Sequence, residues 1–215
     1  MKPPSLQPPQ PKIVPGFENI RRYWDRTHNS WAAKILPGEF YVSRGGELIS
    51  TVLGSCISVC IRDPKMGIGG MNHFMLPEEG DFSTTNWGSD PNNRMARYGN
   101  WAIEFLINEL IKIGAQKERF EVKVFGGGQV IANMSDVGQR NILFTFNYLQ
   151  NEGMKSIATD VGDAYPRKVI YFPESGKVLM KKLKTQHNDT IVKRERDYMR
   201  ELDQDKVKKT DIELF

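Results

Sequence analysis

Four short strand-like runs crowd into residues 39–76: EFYVSR (39–44), ELISTV (47–52), CISVCIR (56–62) and GIGGMNHFML (67–76). Each is rich in β-branched or other apolar residues, and Gly, Asp and Pro punctuate them. This half of the chain is therefore mostly β. Helical periodicity enters only afterwards. From Asp90, with Pro91 just inside the start, Tyr98, Trp101, Ala102, Phe105, Leu106 and Ile113 recur at helical spacing up to Gly114. RFEVKVF (119–125) returns to strand, QRNILFTFNYLQNEG (139–153) reads as a second helix, and MKSIATDVG (154–162) as a further strand. RKVIYF and GKVLMKKL, joined by PESG, close the unit as a hairpin. The expected fold is α/β, a layered sandwich with a mainly antiparallel sheet flanked by two helices.

The segments outside this unit differ in composition. Six of the first 15 residues are proline, which favours extended, unpacked chain, so residues 1–36 read as a disordered basic leader. Residues 37–184 form the expected domain, and 185–215 a charged tail with one short helix bearing Ile191, Arg194, Tyr198 and Leu202, ending in DIELF. The formal net charge of +4 is carried entirely by residues 1–38, with six Lys/Arg against two acids. The remainder is neutral, so the basic pI is no argument for a nucleic-acid partner. No stretch has the roughly 18 consecutive apolar residues of a membrane span, and the proline-rich start does not resemble a signal peptide. The expectation is a soluble, cytoplasmic protein without direct membrane insertion.

Both cysteines, Cys56 and Cys60, lie in one strand-like run. At the usual strand rise their Cα atoms are about 13 Å apart, too far for a disulfide. Reduced thiols follow. Neither has the second Cys or His pair that a zinc site needs, so no metal is expected, and no cofactor either. GGGQVI (126–131) matches neither the phosphate-binding Gly-Lys-Ser/Thr loop nor the spaced dinucleotide glycines, and reads as a tight turn.

DPKM (63–66) places Pro at the second position of a turn between two strand-like runs. If Arg62 and Gly67 flank a four-residue loop, paired residues have numbers summing to 129, which sets Cys56 opposite His73. Directly opposed residues have Cβ atoms about 5 Å apart on one face, the proximity a nucleophile and its base require. For an arbitrary pair the ordinary reading is a buried small residue and a satisfied histidine. Here Gly54 lets the backbone turn sharply just before Cys56 and leaves amides free to serve an oxyanion. His28 and His187 fall in the leader and tail, so His73 is the only histidine within the expected domain. Cys60, inside the strand, reads as core.

LGSC, RDP and GGMNHFMLP, with FGGG (125–128), VGQRN (137–141) and SGKVLMKKL beyond them, resemble the CheD family of chemoreceptor glutamine deamidases over about residues 39–183. The resemblance implies a layered sandwich akin to deamidating bacterial toxins, with Cys56 as nucleophile and His73 as base. It also implies a hydroxyl residue upstream that orients the histidine, which gapless counting places at Ser50, with Thr51 adjacent. TDVGDAYPRK (159–168) departs from the family's pattern at Asp163 and Pro166. The implied activity is hydrolysis of glutamine side chains to glutamate in methyl-accepting chemotaxis receptors. A CheC-like phosphatase is the further partner so implied. The same acyl chemistry would also cleave a glutamate methyl ester. The competing reading is a non-enzymatic adaptor that binds receptors or the phosphatase. The polar loop 77–94 follows His73 closely and either borders the site or is plain surface.

Overall fold

The computed structural model describes residues 7–76, 94–130, 137–184 and 189–210. In chain order the elements are β1 (Arg21–Asp25), β2 (Ser30–Lys34), β3 (Phe40–Ser43), β4 (Glu47–Leu53), β5 (Ile57–Asp63), β6 (Ile68–Asn72), α1 (Arg94–Lys112), β7 (Glu121–Gly126), α2 (Val137–Asn151), β8 (Ser156–Val161), β9 (Arg167–Phe172), β10 (Lys177–Lys182) and α3 (Asp189–Thr210). The strands form two sheets of five, ordered β1-β2-β4-β9-β10 and β3-β6-β5-β7-β8. Pairing is antiparallel except between β2 and β4 and between β7 and β8, so the layered, mainly antiparallel α/β expectation holds. The strand material divides over two sheets, because a run of this length buries more apolar surface when one sheet covers another.

The second sheet is the middle layer. Its β5 is buried on both faces, which is why ISVCI shows no apolar–polar alternation to solvent. Odd residues of β5 look toward the helices, where Phe74, bridged to Ile57, meets Phe144 of α2 edge-on with ring centroids 6.5 Å apart. Even residues look toward the first sheet, whose Tyr171 on β9 lies close to Cys60. Fully burying a side chain such as Ile57, Val59 or Ile61 is worth about 1.5–3 kcal/mol each, so this strand anchors the core.

Residues 21–34, read from the sequence as leader, instead form the β1–β2 hairpin at the edge of the first sheet. Upstream, Val14 and Phe17 are buried, and Phe17 packs edge-on against Phe40 and Tyr41. Arg22 donates to Glu47 at 2.7 Å and to the Pro11 carbonyl at 2.6 Å, and Trp31 Nε1 donates to the Pro8 carbonyl at 2.9 Å. Proline keeps its acceptor while losing its donor, so a proline-rich segment can be held by side chains that reach its carbonyls. The strands RRYWD and SWAAK carry charge and alanine where β-branched residues would have signalled them.

The tail also departs from its expected peripheral place. It forms a helix of 22 residues whose Ile191, Glu195 and Met199 are buried. The loop 77–93, His187 and the DIELF terminus lie outside the described residues.

Candidate active site

The β5–β6 hairpin places Cys56 and His73 near one another by a different register from the one the turn predicts. Observed pairs, Cys60 with Met71 and Asp63 with Ile68, sum to 131, and Ile57 bridges Phe74 in the same register. Asp63 belongs to the strand, since its carboxylate caps the turn by accepting from the amides of Lys65 and Met66 and is held by Arg119. The loop is thereby moved one residue along. His73 stands opposite Ser58 and not Cys56. A shift of two in the sum preserves the face, so Cys56 and His73 are diagonal neighbours pointing toward the first sheet. The reactive atoms of Cys56, His73 and Glu195 lie within 4.8 Å of one another.

Strand alternation separates Ser50 from Thr51. Thr51 shares the inner face of β4 with Ile49 and Leu53, whereas Ser50 shares the outer face with Leu48 and lies 3.4 Å from the Tyr23 hydroxyl. The Thr51 hydroxyl donates to the Ile35 carbonyl at 2.9 Å and lies 2.7 Å from His73 Nδ1. With its one proton given to Ile35, the hydroxyl has only lone pairs for the imidazole. His73 Nδ1 is therefore the N–H, and Nε2, which has no hydrogen-bond partner among the described residues, keeps its lone pair free. Burial first, then the Arg194 charge, lowers the His73 pKa to about 3. The neutral imidazole is the form that can accept a proton.

The loop preceding Cys56 is held from behind. Gly127 N donates to the Cys56 carbonyl at 2.7 Å, and Gly128 N to the Gly54 carbonyl at 2.8 Å. A Cβ on Gly126 would lie 2.2 Å from the Cys56 carbonyl oxygen, so only glycine permits this approach. FGGG, read as a tight turn, thus also clamps the Cys56 loop. Asn141 of α2, fully buried, donates to the Ser55 carbonyl at 2.8 Å and accepts from the Leu76 amide at 2.9 Å. With its carbonyls taken, the loop turns its amides the other way. Sequence reasoning missed Asn141 because its partners are distant in the chain, although VGQRN gave the local hint.

Those amides converge on one carboxylate. Glu195 accepts from Gly54 N at 2.8 Å, Ser55 N at 2.8 Å, Ser55 Oγ at 2.7 Å and Cys56 N at 3.2 Å. Burial, then the Glu195 charge and a hydrogen bond to it, holds the Cys56 thiol well above its ordinary pKa. Cys60 is pushed up as well, by burial, against the opposing charge of Lys123. Cys56, His73 and Glu195 are also the one group of potential metal ligands found among the described residues. Glu195 already directs both oxygens at N–H and O–H donors. Arg167, in the segment that departs from the family pattern, is fully buried and bound to Asp160 at 2.6 Å. It thus serves as a bracket between strands.

The site thus brings together a thiol, a neutral imidazole with a free lone pair, a hydroxyl at the other ring nitrogen and three amides facing one carboxyl-sized position. Comparison with known proteins places the chain in a family. The family model described as CheD chemotactic sensory transduction matches residues 75–182. The chain is 53% identical over 205 residues to the probable chemoreceptor glutamine deamidase CheD of Halorhodospira halophila, covering 95% of this chain and 94% of that protein. It is 50% identical over 209 residues to the protein of the same description from Hahella chejuensis, covering 97% and 96%. A third, from Dechloromonas aromatica, is 55% identical over 179 residues, covering 82% and 86%. This chain belongs to the CheD family.

Proposed function

We propose that this protein hydrolyses the side-chain amides of specific glutamines in methyl-accepting chemotaxis receptors, releasing ammonia and leaving glutamate. The observation that carries the reading is the convergence of Cys56, His73 and the 54–56 amides on a single carboxyl group, with the Thr51 hydroxyl at His73 Nδ1. His73 Nε2 takes the thiol proton, and Cys56 Sγ attacks the carboxamide carbon. The developing oxyanion is met by backbone N–H groups that already face it. His73 returns its proton to the departing ammonia, and water then cleaves the thioester, regenerating the thiol and a carboxylic acid. Each event adds one negative charge to the receptor. A CheC-like phosphatase belongs to the proposal as a binding partner.

Incubation with a receptor cytoplasmic fragment followed by mass spectrometry tests the activity. The expected gain is about 1 Da per converted glutamine, the NH2-to-OH difference of acyl hydrolysis. Loss of a methyl group from esterified glutamates would reveal esterase activity. Unchanged masses with retained receptor binding would favour the adaptor reading and defeat the enzymatic one.

Within this mechanism Thr51, and not Ser50, orients the base. Thr51→Val should lower the deamidation rate about ten-fold or more, because an unoriented imidazole is a poorer base, while Ser50→Ala stays near wild type. Steady-state rates for the two variants decide it; a larger loss in Ser50→Ala would reverse the assignment.

A further inference from the structure

Glu195 sits at the centre of a buried stripe, Ile191, Glu195 and Met199, spaced four residues apart on α3. Amphipathic helices place apolar residues at such positions, and a glutamate there is rarely buried without partners. Its neighbours in sequence, Lys193, Arg194, Arg196 and Asp197, are those of a solvated helix face. What receives Glu195 is the amide cluster described above, about 140 residues away in the chain. The fit is close. A Cβ on Gly54 would lie 2.6–2.7 Å from the Glu195 carboxylate atoms, so the carboxyl group rests on the bare glycine backbone.

A glutamate side chain is also the product of glutamine hydrolysis. With it seated, Cys56 is 0% exposed, His73 1% and Glu195 itself 1%, so no external side chain can reach the thiol. We propose that the 54–56 amide cluster is a binding site for a helix-borne side-chain carboxylate or carboxamide, and that α3 fills it in cis with Glu195 as a product mimic, holding the enzyme closed. The inference rests on the reading of Cys56 as an acyl-transfer nucleophile. It adds that a receptor glutamine must displace Glu195 to reach it.

The helix is suited to leave. Its described apolar anchors are few: Ile191 and Met199, with Tyr198 partly buried beside Gly38. Beside it, a cleft of about 400 Å³ separates Thr190, Lys193, Arg194 and Asp197 from Leu36 and Pro37.

The test uses the full chain. Iodoacetamide labelling of Cys56, read by peptide mass spectrometry with buried Cys60 as internal reference, reports access to the thiol independently of any amidase activity. Glu195→Ala should label at least ten-fold faster at Cys56 than wild type, with Cys60 unchanged. Equal Cys56 labelling in a variant that remains folded by circular dichroism overturns the cap. Fast labelling of both cysteines would mean general unfolding, and Glu195→Asp then decides, because it keeps the charge but withdraws the carboxylate by one methylene. Selective labelling of Cys56 in that variant supports the cap, and slow labelling overturns it. If labelling accelerates selectively while no receptor glutamine is converted, the cap stands and the proposed activity is what fails.

Glu195→Gln carries a second readout, because it places a carboxamide against the nucleophile. Cys56 Sγ bonds to the carboxamide carbon of the substituted side chain, the C–N bond breaks, and ammonia leaves with the proton relayed by His73. Water then cleaves the thioester, returning the native glutamate and the thiol. The purified variant should gain about 1 Da at position 195, the NH2-to-OH difference, and should not do so when Cys56→Ala is added. Conversion that persists without Cys56 would overturn the placement of this side chain at the nucleophile.

Discussion

Receptor fragment incubated with Cys56→Ala keeps its starting mass, with the rate of glutamine conversion reduced by at least about a thousand-fold, the scale on which loss of an acyl-transfer nucleophile is felt. The other thiol of the chain cannot substitute. Cys60 lies further along β5, paired with Met71 and shut into the inter-sheet core. Cys60→Ala should therefore keep most of the activity and lose some stability, since it deletes a small buried group. The pair separates chemistry from folding, as both changes remove the same atom from inward positions of one short run. Wild-type conversion by Cys56→Ala would end the acyl-enzyme reading.

His73→Gln should cost roughly a hundred- to ten-thousand-fold in rate, the usual worth of a positioned base. Some activity should return as pH rises, because hydroxide can then take the thiol proton that the imidazole no longer accepts. A second measurement on this variant concerns stability. Burial, reinforced by Arg194, brings the folded-state pKa of His73 down to about 3, against an ordinary value of 6.5. Below pH 6.5 the unfolded chain binds a proton there and the folded chain does not, so folding loses stability as pH falls toward 3. The slope approaches 1.4 kcal/mol per pH unit, which gives about 2 kcal/mol between pH 6.5 and pH 5. Urea unfolding at pH 7 and pH 5 should show that loss in wild type and a smaller one in His73→Gln. Equal pH dependence in both would mean that His73 is solvated in the folded protein.

Local pattern carried much of this architecture. The strands from β3 to β10 and helix α2 fall within a few residues of where periodicity and turn residues put them, because their apolar runs are bounded by Gly, Pro and Asp, and α1 ends just before Gly114 as expected while its expected start at Asp90 and Pro91 lies outside the described residues. Register was harder. The DPKM turn points to the right hairpin, but Asp63 commits its carboxylate to the turn amides and to Arg119, a tertiary partner, and so stays in the strand. Cys56 and His73 still meet because a two-residue offset leaves parity intact. Ser50 and Thr51 are indistinguishable as hydroxyls, and only the direction of β4 relative to the second sheet separates them. β1 and β2 were hidden by charge and alanine. Glu195 was hidden differently: KRERD reads as a solvated helix face, and the signal that would have found it is the stripe 191-195-199, with an acid where an apolar residue belongs.

Thr51 belongs to one sheet, while Cys56 and His73 each stand one residue outside the β5–β6 strand pair of the other. The imidazole is thus tethered across the interface between the sheets, and its orientation depends on how the two layers are seated. Hydrogen bonds weaken steeply with misalignment, so a slip of an ångström between layers would release Nδ1 while leaving every strand ladder whole. If His73 is the base proposed above, turnover becomes a gauge of layer seating, more sensitive than any probe of secondary structure. Substitutions far from Cys56 that loosen the hydrogen bond from Tyr41 to Glu47, another tie between the layers, would register first as lost turnover in a chain whose circular dichroism is unchanged.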